Sequence, residues 1–88
     1  MYNYQEQRSY IFTEDGQIEF LKIRDKVKDL LRKFGAVTME KILHGFTGTN
    51  WHHMACVDRL VELGEIKEVD QKKDYVPGQY RIFTNNEQ

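Results

Sequence analysis

The chain has 88 residues, 40% of them hydrophobic and 31% charged, with 13 Lys+Arg against 14 Asp+Glu and a formal net charge of −1. That length carries one small domain, and the single Cys excludes both an intramolecular disulfide framework and an all-Cys zinc site while fitting a reducing compartment. No stretch approaches the ~18 apolar residues of a membrane span, and the opening MYNYQEQRSY lacks the basic and then apolar pattern of a secretory leader, so a cytoplasmic protein is expected and a secreted miniprotein, a membrane protein and a large enzyme are not.

Three regions follow from composition: an N-terminal arm over 1–16, partly flexible; a folded domain over 17–84; and a flexible polar tail over 85–88. In the arm, Ser9 to Thr13 reads as a short strand or as an arm packed on the body, and Asp15-Gly16 marks a turn or a helix entry. From Gln17 to Phe34 the apolar residues Phe20, Ile23, Val27, Leu30, Leu31 and Phe34 recur at spacings of three and four, one face of a helix stopped by Gly35. Ile18 and Leu21 fall off that stripe, which predicts that the arm covers them. Thr38 is an N-cap for a short second helix carrying Met39, Ile42 and Leu43, ended at the turn around Gly45 and Gly48.

Thr49 or Asn50 caps a third helix running to about Leu63. Its inward face is expected to be His53, Cys56, Val57, Leu60 and Leu63, with Trp51, Ala55, Asp58 and Glu62 pointing away and His52 and Arg59 flanking them. Beyond Gly64, Glu65 to Val69 alternates polar and apolar residues, and so do Gln79 to Phe83. A polar loop carrying Lys72 and Lys73 joins them, predicting a two-stranded hairpin.

The stretch VDRLVELGEI, Val57 to Ile66, carries a resemblance. A helical V-x-x-L-x-x-L meets a glycine and then a buried strand residue, which resembles the end of the third helix in the winged helix-turn-helix superfamily. The likeness covers about residues 17–84. It implies an α+β fold of three helices followed by a two-stranded wing, with a short N-terminal strand added by the arm. It also implies DNA binding in the manner of a transcriptional regulator. Thr49, Asn50, Trp51, His52, Ala55 and Arg59 would then face base edges in the major groove, and Lys72 and Lys73 would meet phosphates or the minor groove. Arg81 and the basic side of the first long helix would add backbone contacts.

Charge tempers that expectation. Residues 17–35 sum to +3, but the presumed reading face holds one Arg, no Lys, and the carboxylates Asp58 and Glu62. Trp51 on such a face suits a protein partner, so a protein-interaction module with Trp51 as anchor is the alternative, and the N-terminal aromatics are expected to cover Ile18 and Leu21 or to join a homodimer interface. His44, His52, His53 and Cys56 invite a metal reading, with His52 and Cys56 four apart. Zinc wants three or four ligands, however, and a core thiol beside a histidine is the plainer reading. No nucleophile–base–orienter set, phosphate loop or dinucleotide fingerprint is present, so neither catalysis nor a cofactor is expected.

Overall fold

A computed structural model describes residues 1–69 and 78–86. The fold is α+β, with helices α1 (Tyr4–Ile11), α2 (Glu14–Phe34), α3 (Met39–Leu43) and α4 (Asn50–Glu62) and strands β1 (Ala36–Thr38), β2 (Ile66–Glu68) and β3 (Ile82–Asn85). The strands form one antiparallel sheet in the order β1-β3-β2, with Val37 opposite Phe83 and Ile66 opposite Asn85. A 3-10 turn, Gly78–Tyr80, leads into β3.

Local signals account for most boundaries. The Thr13 hydroxyl accepts from the Gly16 amide at 3.0 Å and starts α2, which Gly35 ends in the left-handed region at φ 77°. The Thr38 hydroxyl accepts from the Lys41 amide at 3.2 Å and starts α3. The α2 stripe turns Ile23 and Val27 into a core shared with Ile42, Val57, Leu60, Ile66 and Phe83, all of them fully or almost fully buried.

Several expectations are corrected. Ser9 to Ile11 is not a strand but the last turn of α1, whose N-cap Asn3 accepts from the Glu6 amide at 3.2 Å and whose Ile11 is buried. Residues with β propensity were overridden by a cap and by one well-placed core residue. The expected hairpin strands pair as β2 and β3, although Gln79 and Tyr80 belong to the 3-10 turn and the strand runs on to Asn85, and β1, which has no periodicity of its own, completes the sheet. The α1 helix does not cover Ile18 and Leu21, which remain 50% and 46% exposed. It packs on α4 instead, steered by the corner between α1 and α2. There a Cβ on Gly16 would stand 1.9 Å from the Tyr10 carbonyl oxygen, so the two helices approach as only glycine permits. Phe34 and Leu63, expected inside, lie at helix ends and are 64% and 47% exposed.

Candidate functional site

The outward side of α4 is where the sequence placed the reading residues, and α1 lies along it. Tyr10 stacks on His52 with ring centroids 3.8 Å apart and planes 7° from parallel. The guanidiniums of Arg8 and Arg59 both lie over the Phe12 ring, at 5.0 and 5.2 Å. Glu62 collects the Tyr4 hydroxyl at 2.8 Å, Arg59 Nη1 at 2.8 Å and Arg8 Nε at 3.1 Å. These donors, Arg59 foremost, hold its carboxyl down at about 2. Burial, with the hydrogen bond to Glu62, pushes the Tyr4 phenol up to about 12.

One turn earlier on α4, the Tyr2 hydroxyl donates to Asp58 Oδ2 at 2.5 Å. Arg81 Nη2 reaches Asp58 Oδ1 at 2.6 Å and Glu68 Oε1 at 2.8 Å, and Arg81 Nε reaches Glu68 Oε2 at 3.0 Å. Burial works against the Arg81 charge, but hydrogen bonds to Glu68 and Asp58 outweigh it and keep the guanidinium firmly protonated. Two carboxylates thus share one arginine, and the segment before α1, α4, β2 and the residue entering β3 are tied at a single point.

The expected reading residues therefore divide. Thr49, Asn50 and Trp51 stand exposed at the N-terminal end of α4, with Trp51 at 40% exposure. Thr49 is the N-cap without a side-chain cap bond. His52 is half-buried beneath Tyr10, and Arg59 is half-buried in its pairing with Glu62. Ala55, expected outward, is fully buried, because α4 is packed on both sides. Lys72 and Lys73 lie outside the described residues.

Beside the exposed end of α4 runs a groove of about 750 Å³ between α3, α4, the turn at Gly78 and the N-terminal residues. Met39, Leu43, Phe46, Trp51 and Met54 supply its apolar lining, Tyr2 meets Trp51 edge-on at 6.5 Å, and Glu40, His44, Asn50 and Arg81 supply polar groups. From the sequence, Asn50 and Trp51 were expected on a reading face, Arg81 at a backbone contact and His44 in a metal reading, but not together around one groove. Leu43 and Met54 carried a signal, as apolar residues at the margins of short amphipathic helices. Nothing in the sequence placed Tyr2, Glu40 or Arg81 beside Trp51, because they reach the groove only through tertiary packing.

His53 and Cys56 are held by packing, while His44 is exposed. His53 is buried, with Nε2 3.0 Å from Glu19 Oε1; burial lowers its pKa and Glu19 opposes the shift. Cys56 is fully buried, and burial with the Glu19 charge pushes its thiol up to about 12. Among the described residues no group of three or more His, Cys, Asp or Glu side chains could hold a metal ion. Among them too, no helix is long and apolar enough to cross a membrane.

Comparison of the chain with protein-family models, with curated proteins and with solved structures found no match.

Proposed function

We propose that this chain is a winged-helix module that binds a protein partner through the groove between α3 and α4, with Trp51 as the anchor. The observation that carries this reading is the contrast between the two sides of α4. Its outward face is spent on α1: His52 under Tyr10, Ala55 buried, Arg59 and Glu62 paired. Its N-terminal end opens onto an apolar groove with a Trp at the rim. Trp is enriched among the few residues that dominate interface energetics, and methionine-lined surfaces such as Met39 and Met54 adapt to partner side chains. The order of elements, with a strand between the first long helix and α3, and a hairpin after α4, supports the winged-helix assignment. The lone buried thiol suits the reducing cytoplasm, where we place the protein.

The test is a random peptide library displayed against the immobilised protein. Enriched peptides should bind the wild type and lose about tenfold or more in affinity on Trp51→Ala, the loss that truncating an interface anchor brings. Enrichment only of peptides indifferent to Trp51 contradicts the reading.

A second reading, a DNA-binding transcriptional regulator, draws on one observation. Thr49, Asn50 and Trp51 are exposed at the N-terminal end of α4, the end that recognition helices present to base edges. It requires duplex binding that falls steeply with salt.

A further inference from the structure

We infer that the partner element seated in the α3–α4 groove is an amphipathic helix whose apolar face is flanked by Lys or Arg. The inference rests on the docking reading proposed above and adds the chemistry of the occupant. Two helices wall the groove, and an apolar trough between helices receives another helix through anchors spaced three and four residues apart. Leu43 on α3 and Trp51 and Met54 on α4 offer seats for such anchors.

Charge selects the flanks. The Glu40 carboxylate lines the groove and makes no ion pair or side-chain hydrogen bond among the described residues. Arg81, in the lining, is outnumbered by the two carboxylates it bonds, Asp58 and Glu68. Nearby lysines do not balance this. Lys41 faces the Phe34 ring at 5.9 Å beside a separate hollow lined by Val37 and Ile82, and Lys26 lies 5.1 Å from the Phe46 ring with its ammonium donating to the His44 carbonyl. The Met1 amino group sits at the open mouth, where water and salt screen it. A guest with cations beside its apolar face pairs Glu40, while Arg81, held by Asp58 and Glu68, does not oppose it. A guest with carboxylates there meets repulsion, which is how like charges exclude wrong partners.

The experiment titrates the full chain with two synthetic helices of about four turns each. They share the same leucine positions and carry Lys in one and Glu in the other. Trp51 is the chain's one tryptophan and reports binding directly through its emission. The Lys peptide should shift that emission and bind about tenfold or more tighter than the Glu peptide. Glu40→Lys should abolish the preference, while Asp25→Lys, the same change of charge on an exposed α2 position, should preserve it. If neither peptide perturbs Trp51, the docking reading falls together with this inference. If both bind equally, or the Glu peptide binds better, the groove is a docking site but its occupant is not basic. Equal losses on Glu40→Lys and Asp25→Lys would reduce the preference to bulk charge and overturn the assignment to Glu40.

Discussion

The Tyr10 ring lies flat on the His52 imidazole, 3.8 Å between centroids and 7° from parallel. This contact converts a helix side that the sequence presents as free into an internal surface. A stacked aromatic pair contributes about 1 kcal/mol beyond the area it buries. Tyr10→Ala should therefore lower the unfolding free energy by about 1–2 kcal/mol. Tyr10→Phe should cost much less, because the ring and not the hydroxyl makes the contact. Urea melts of the two variants decide it, and equal losses would show that the hydroxyl, not the stack, matters.

Gly16 makes the corner that sends α1 onto α4. Gly to Ala inside a helix ordinarily stabilises by about 1 kcal/mol. Here the added carbon would meet the Tyr10 oxygen at 1.9 Å, the Tyr10 carbonyl carbon at 2.7 Å and the Ile11 Cα at 2.8 Å, all backbone atoms that cannot rotate away. Gly16→Ala should destabilise by at least about 2 kcal/mol, the scale of overpacking. A stabilised variant would mean that α1 does not close on α2 as described.

The body of the first long helix and the caps at Gly35, Thr38 and Thr49 were legible because each is set by neighbours in sequence, whereas the start of α2 at Thr13 and the cap at Asn3 were not. Phe20, Ile23 and Val27 mark one helical face, and Thr38 satisfies the amide of Lys41. The covered side of α4 was not legible. Ala55 looks solvent-facing on a wheel with one buried side, and only a second helix packed opposite makes it core. The same holds for α1, where Tyr10, Ile11 and Phe12 resemble a strand until Asn3 and the Gly16 corner act together. Of the groove, Trp51 was visible as an oddity, and its companions converge from four separate parts of the chain.

Acid should loosen α1 through Glu62. Its carboxyl, held at about 2 against an ordinary 4.5, contributes stability that is fully present above the ordinary value. That contribution is lost as pH falls from 4.5 toward 2, when the Arg59, Tyr4 and Arg8 bonds lose their anion. Melting temperatures taken from pH 5 down to pH 2 should drop less steeply for Glu62→Gln than for the wild type. Parallel slopes would place the acid sensitivity elsewhere.

Cys56 should be inert in the native state. With the thiol buried and pushed up to about 12, the reactive thiolate is scarce at neutral pH. A disulfide reagent should label it only in denaturant, and prompt labelling of the folded protein would contradict the packing of α4.

The most direct measurement is fluorescence anisotropy of a labelled random DNA duplex titrated with the protein from low to physiological salt. With the outward face of α4 closed by α1 and its Arg59 paired to Glu62, no salt-sensitive binding is expected even at micromolar protein and low salt. Micromolar binding that falls steeply with salt would contradict it and restore α4 as a reader of DNA.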